Sequence, residues 1–352
     1  MPLVAYNNLP SFDRLREAGI RVLEPSFALH QDIRELHIGL LNMMPDAALA
    51  ATARQFFRLI GESNPIAQFY IYPFTLDELP RSDDAKAYIE KHYSSFKELQ
   101  EKGLDALIIT GANVEGSKLS QQPFWEPLKE VFEWAYNNVT STLCSCLASH
   151  AVLEFQYQQK RQLQDEKIWG VFKHHIADKK HPLVEDINTR FDVPHSRWNK
   201  VSLEQFQSAG LKILAISDNN DVHLATSADG IRTVFFQGHP EYDTISLLKE
   251  YKREIMLFLD GKTNSYPPFP ENYFGQFEKA LFNEFRYRVE SLEEQAEFPE
   301  KLIISHLDNT WHDTAGEVVS NWMGLIYQLT HRDRHLPFME HLDPNNPLNL
   351  EQ

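Results

Sequence analysis

The chain has 352 residues, 42% of them apolar and 24% charged, so it sits among globular proteins large enough for one large domain or two modest ones. Its net charge of −16 excludes nucleic acid as a general partner, because phosphate binding needs a basic surface; a small anion in a local basic pocket stays open. No run of about 18 apolar residues exists, so no membrane span is expected, and Met1-Pro2-Leu3-Val4-Ala5-Tyr6 lacks the blocks of a secretory signal.

In chain order, the apolar run 36–41 ends in Asn42-Met43-Met44-Pro45 and reads as a buried strand. Residues 55–60 have helical spacing, and Gly61 is a plausible helix end. The run 106–109 precedes Thr110-Gly111-Ala112-Asn113. Segment 127–135 carries Leu128, Val131, Phe132 and Ala135 on one helical face. The run 140–143 leads into Cys144-Ser145-Cys146, and 213–216 and 233–236 complete the strands. Strands alternating with helices predict an α/β fold with a mainly parallel sheet. The last hundred residues differ. Pro267-Pro268-Phe269-Pro270 is a break, 290–300 is acidic and reads as a solvated helix face, and 311–329 reads as a helix packed back on the domain. The expected organisation is one α/β domain over 1–330 with a C-terminal helical extension, then an extended or disordered tail over 331–352.

Cys144 and Cys146 are the two cysteines, and at i, i+2 they are poorly placed for a disulfide. Such usage predicts a reducing compartment and a cytoplasmic location. The order strand, Cys146, then helix resembles a nucleophile elbow, where the reactive residue sits at a tight turn. Small residues are needed two before and two after the tip, and Cys144 and Ala148 stand there. The sulfur would lie near a helix N-terminus, which favours the thiolate. The Leu147 N–H would point at a developing oxyanion. The competing reading makes both cysteines inert core residues, and it weighs most on Cys144.

The strand at 233–236 runs into Gln237-Gly238-His239-Pro240-Glu241. Ligand sites in open α/β sheets sit at such strand ends. His239 and Glu241 at i, i+2 can face one side of an extended chain, giving a base and the carboxylate that orients it. A structural capping histidine is the alternative. His174, His175, His181 and His195 match no metal motif, so no metal is expected and these histidines read as structural or substrate-proximal.

Several ordered segments carry a family resemblance over nearly the whole chain. They are Leu40-Leu41-Asn42-Met43-Met44-Pro45, Ile109-Thr110-Gly111-Ala112, the run into Cys146, Pro194-His195-Ser196-Arg197, Gly238-His239-Pro240-Glu241-Tyr242-Asp243 and Asn272-Tyr273-Phe274. The sequence resembles the homoserine O-acyltransferases of the homoserine trans-succinylase type, which have a class I glutamine amidotransferase-like (flavodoxin-like) fold. The resemblance implies a ping-pong reaction in methionine biosynthesis. Cys146 would take an acyl group from acyl-CoA, a co-substrate rather than a bound cofactor, and the L-homoserine hydroxyl would accept it. It also implies Arg197 and Arg253 near the amino-acid carboxylate, and a homodimer. Glu115 matches the position where glutamate goes with acetyl and glycine with succinyl transfer, so acetyl is favoured. Two features depart from the family. Gly116-Ser117-Lys118 replaces its usual apolar-acidic continuation, and Asp46-Ala47-Ala48-Leu49 stands where a lysine follows the Asn-x-Met-Pro segment, in a loop that reads as about two residues longer. These departures leave the donor open, with serine or another hydroxy-amino compound as alternative acceptor. A glutamine amidotransferase-type hydrolase is the other reading, but the chain lacks a nucleotide-binding motif and a glycine-flanked cysteine.

Overall fold

Alternation along the strands explains why the sheet is covered on both sides. In the strand Glu35–Leu41, Leu36, Ile38 and Leu40 face one apolar cluster and Leu41 faces another. In Ala106–Ile109, Ala106 and Ile108 take the first side, Leu107 and Ile109 the second. A parallel sheet joined by crossover helices needs this double burial.

The structure is a computed structural model describing residues 3–29, 33–64, 67–114, 118–291, 297–336 and 342–350. Among the described residues, eleven strands form one sheet. They are β1 (Leu3–Val4), β2 (Val22–Leu23), β3 (Glu35–Leu41), β4 (Gln68–Phe74), β5 (Ala106–Ile109), β6 (Ser141–Ser145), β7 (Gln162–Ile176), β8 (Arg190–Lys200), β9 (Lys212–Ser217), β10 (Val222–Thr226) and β11 (Thr233–Phe236). Their spatial order is β2-β1-β4-β3-β5-β6-β11-β10-β9-β7-β8. Every pairing from β2 to β11 is parallel. Every pairing from β11 out to β8 is antiparallel. The sheet is thus mainly parallel, as expected, with an antiparallel wing that the apolar runs did not announce.

Helices Asp46–Ser63 and His312–Leu329 cover the first face, through Phe56, Phe57, Trp322 and Met323. The Trp322 indole donates to the Ser141 hydroxyl at 2.7 Å, anchoring the C-terminal helix to β6. Helices Trp125–Asn138 and Leu147–Tyr157 cover the second face. Helices Ser246–Leu259 and Gln276–Glu290 build a third, aromatic cluster with Trp169 and Val171 of β7. Each large side chain buried this way contributes roughly 1.5–3 kcal/mol.

Two local expectations change. Gly61 does not end a helix, because Asp46–Ser63 runs through it. A Cβ at Gly61 would lie 2.7 Å from Leu3 Cδ1, so the glycine lets β1 close on the helix. Nor is 46–49 a loop, since the helix starts at Asp46 directly after Pro45. The Asp46 carboxylate accepts from the Ser82 N–H at 2.8 Å and from Arg81 at 3.2 Å.

Of the acidic segment 290–300, residues 292–296 lie outside the described residues, and the flanking helices are Gln276–Glu290 and Glu300–Ile304. The described residues beyond 330 follow turns against the body of the protein. Arg334 Nε donates to Asp105 Oδ2 at 3.1 Å, and Leu348 packs on the first cluster. Among the described residues, no helix is long and apolar enough to cross a membrane.

Candidate active site

The turn from β6 into the following helix forces an unusual backbone. Cys146 has φ 52° and ψ −109°, between β6 and Leu147–Tyr157. A non-glycine residue there costs about 1–3 kcal/mol and needs its surroundings to hold it. They do. The Cys146 N–H donates to the Phe236 carbonyl at 2.7 Å. The Ser149 hydroxyl lies 2.7 Å from the Cys144 carbonyl and 3.0 Å from that of Phe236. The elbow is therefore tied to the end of β11, the parallel neighbour of β6. Leu147 opens the helix, so its N–H has no intrahelical partner. Cys144 lies on the strand, fully buried, and burial pushes its thiol well above the ordinary range.

Past β11 the chain delivers His239 to the same place. Gly238 permits it, because a Cβ there would stand 2.5 Å from Val193 Cγ1 on β8. The His239 N–H donates to the Pro194 carbonyl at 2.8 Å. His239 Nδ1 meets Glu241 Oε1 at 2.8 Å, and the ring is within hydrogen-bonding reach of Cys146. With Nδ1 committed to Glu241, Nε2 is the nitrogen left for the sulfur. Burial alone would lower the His239 pKa. The negative charges of Cys146 and Glu241 outweigh it and hold the pKa well above the ordinary value.

The loop carrying Glu241 is clamped from the Asp46–Ser63 helix. Arg54 and Arg58 both pair with Asp243, the former at 2.9 Å, and Arg58 Nη2 donates to the Glu241 carbonyl at 3.3 Å. Glu241 Oε2 is buried with no hydrogen-bond partner among the described residues. The His239 ring stacks on Tyr242 with centroids 4.4 Å apart, and the Tyr242 hydroxyl donates to Glu250 Oε1 at 2.6 Å.

A cavity of about 450 Å³ opens beside Cys146. Its lining includes Leu147, His150, Arg161, Lys167, Ser196, Arg197 and Arg253. Arg197, on β8, is almost fully buried. Its Nε donates to His195 Nδ1 at 3.3 Å and its Nη1 to the Asn199 carbonyl at 2.9 Å. Its Nη2 stands 3.9 Å from Asp221 with no hydrogen-bond partner among the described residues. Arg253 stands on the Ser246–Leu259 helix at the cavity edge, 3.0 Å from Glu254. Glu115 lies outside the described residues.

Lys167 and Ser196 were not singled out by sequence reasoning. Lys167 sits where β7 bulges against β8, its ammonium 4.2 Å from the Trp169 ring centre and 3.4 Å from Glu250. Glu250 also accepts from the Ser196 hydroxyl at 2.6 Å and the Trp169 indole at 2.9 Å. Burial alone would raise the Glu250 carboxyl, but Lys167, Ser196 and Tyr242 outweigh it and keep its pKa below the ordinary value. One partly buried anion thus connects the stacking partner of His239 to the wall of the cavity.

The histidines form a hydrogen-bonded file. Arg197 donates to His195 Nδ1, so His195 Nε2 carries the proton facing His174 Nε2 at 3.3 Å, and His174 Nδ1 donates to the Phe172 carbonyl at 2.8 Å. Burial lowers the pKa of His174 to about 4 and keeps the ring neutral. His181 caps a turn by accepting from the Leu183 N–H at 3.2 Å. Among the described residues, no group of three or more His, Cys, Asp or Glu is placed to hold a metal ion.

The family model described as homoserine O-succinyltransferase matches residues 2–332. A homoserine O-succinyltransferase of Allochromatium vinosum is 62% identical over 354 residues, covering 99% of this chain and 99% of that one. One of Thiobacillus denitrificans is 61% identical over 350 residues, covering 99% of this chain and all of its own. Among solved structures, a glutamine amidotransferase from Methylobacillus flagellatus is 11% identical, with a TM-score of 0.45 over 83% of this chain and 95% of that one.

Proposed function

The chain belongs to the homoserine O-succinyltransferase family, and from that premise we propose that it moves a succinyl group from succinyl-CoA to the hydroxyl of L-homoserine through an acyl-Cys146 intermediate. The observation that carries this reading is the strained Cys146 elbow with His239 and Glu241 in file behind it. Succinyl is preferred to acetyl because the family and its close relatives are named for it. The acetyl preference drawn from Glu115 runs against those names.

In the first half-reaction the Cys146 thiolate attacks the thioester carbonyl. The new oxyanion meets the Leu147 N–H at the helix start. The carbon–sulfur bond to CoA breaks, and the His239 imidazolium gives its proton to the departing thiolate. In the second half the acceptor hydroxyl attacks the acyl-cysteine, His239 Nε2 takes its proton, and the Cys146 thiolate leaves. The two halves need opposite protonation states of one imidazole. Acylation itself supplies the switch, because it removes the sulfur charge and with it one of the two charges that hold the His239 pKa up. Burial then acts against Glu241 alone. Arg253, Lys167 and Ser196 surround the place where the amino-acid end of homoserine would lie.

The test is CoA thiol release by purified protein with succinyl-CoA or acetyl-CoA, with and without L-homoserine. The expected result is a burst of about one CoA per chain without acceptor and turnover with it, with succinyl-CoA the better donor. Cys146→Ser should lose at least about 10³-fold in turnover. Unchanged turnover in that variant would remove Cys146 as nucleophile.

A further inference from the structure

The cavity beside Cys146 holds more positive charge than one amino acid requires. Among the described residues, Arg161, Lys167, Arg197 and Arg253 line it against a single acid, Glu254, in a chain whose net charge is −16. Lys167 and Arg161 have different charged neighbours, and Arg197 shares the Cys146 sulfur with Arg161. Lys167 lies among Glu250, Glu254 and Arg253, on the flank joined to His239 through Tyr242. The acceptor hydroxyl must reach His239 Nε2, so the amino acid belongs on that flank.

Arg161 stands elsewhere. It follows the Leu147–Tyr157 helix, and its charged neighbours are Glu154 of that helix and the Cys146 sulfur. The next ring along is His150, which donates from Nε2 to Gln237 Oε1 at 3.0 Å. Burial lowers its pKa to about 3, so it adds no competing charge. The cavity is also lined by Ala112, Asn113, Val114 and Leu147.

We propose that Arg161 sets the acyl specificity, receiving the free carboxylate of the succinyl group while the thioester carbonyl stands at Cys146. The assignment rests on the succinyl-CoA reading above. A succinyl chain carries its carboxylate two methylenes beyond the carbonyl, within reach of a side chain that also senses the sulfur. A guanidinium suits a carboxylate through paired N–H donors. An acetyl group offers nothing to that charge.

The experiment is the acceptor-free burst of CoA release with three donors: succinyl-CoA, acetyl-CoA, and succinamoyl-CoA, whose terminal amide is neutral. Arg161→Gln should slow the succinyl burst about 100-fold and leave the acetyl burst within about threefold, the size of one lost charge-assisted pair. Arg161→Lys should recover part of the succinyl burst. The wild-type protein should prefer succinyl-CoA to succinamoyl-CoA, a comparison that needs no variant to fold. Equal loss with both natural donors, no loss with either, or no wild-type preference over the amide would overturn the assignment. A wild-type protein that releases CoA from neither natural donor would instead sink the acyl-CoA reading beneath it, and the assignment with it.

Discussion

The parallel and antiparallel halves of the sheet are built from different sequence and contribute differently to the site. Strands β5, β6 and β11 are buried along their whole length, and they end in the Gly111 turn, the Cys146 elbow and the His239 loop. Strands β7 and β8 are 15 and 11 residues long, half exposed, and carry Lys167, Ser196 and Arg197. Reacting atoms come from strand ends whose positions the backbone dictates. Under the proposed function, Lys167 and Ser196 would hold the acceptor from within β7 and β8, whereas Arg161 stands just before β7. Under the proposed function, backbone-fixed strand ends would serve the reaction, and cavity side chains would serve selection.

The comparison would break if the reaction did not depend on the parallel half. Glu241→Gln should lower turnover by about 10²–10⁴-fold, the range expected when a triad carboxylate loses its charge. It should also lower the His239 pKa, since Glu241 supplies part of the charge that raises it. In the free protein His239 should stay protonated above about 6.5, its ordinary value, and Cys146→Ala should bring its titration down as well. Imidazole NMR titration reads all three proteins. An unmoved His239 in both variants would remove the ion pair as the cause.

The comparison sharpens if the antiparallel half can be damaged without touching the first half-reaction. Lys167→Met should raise the KM for homoserine by about 10–100-fold, as a lost charged contact does, while the acceptor-free burst stays within about threefold. Equal loss in burst and turnover would mean that the two halves do not divide the work.

The smallest effect lies far from the cavity. His312 holds Glu62 at 3.0 Å across the two helices on the first face. The hydrogen bond to Glu62 raises its pKa, so protonation is favoured by folding. The pair therefore stabilises fully below the unfolded value of about 6.5 and fades as pH rises through the raised folded pKa. Both side chains are about a third exposed. His312→Gln should therefore cost at most about 0.5 kcal/mol at pH 5.5 and less at pH 9, measured by urea unfolding. A larger cost at high pH would reverse the sign and exclude the pair as its source.

The parallel half was legible because burial on both faces leaves continuous apolar runs, as at 106–109 and 233–236. The Cys146, His239 and Glu241 side chains that meet in the structure were each readable at the end of such a run. Of the antiparallel wing only β9 was legible, as the run 213–216, since alternating polar residues in β7 look like a solvated segment. Lys167 was lost in Asp165-Glu166-Lys167, where nothing local tells a cavity cation from surface charge. Ser196 was passed over beside the more conspicuous Arg197. Gly61 misled because a glycine required by packing and a glycine ending a helix look alike until Leu3 is placed against it.

The tie between elbow and β11 has a consequence for synthesis. The bond from Ser149 to the Phe236 carbonyl spans 87 residues of chain. A chain without β11 keeps only the local Ser149–Cys144 bond for the turn that exposes the sulfur, lacks the Phe236 anchors, and has no base beside it. The His239 loop that follows β11 reaches the sulfur only once β11 has paired with β6. Long-range closure thus delays the Cys146–His239 pair until the cavity beside it is being assembled.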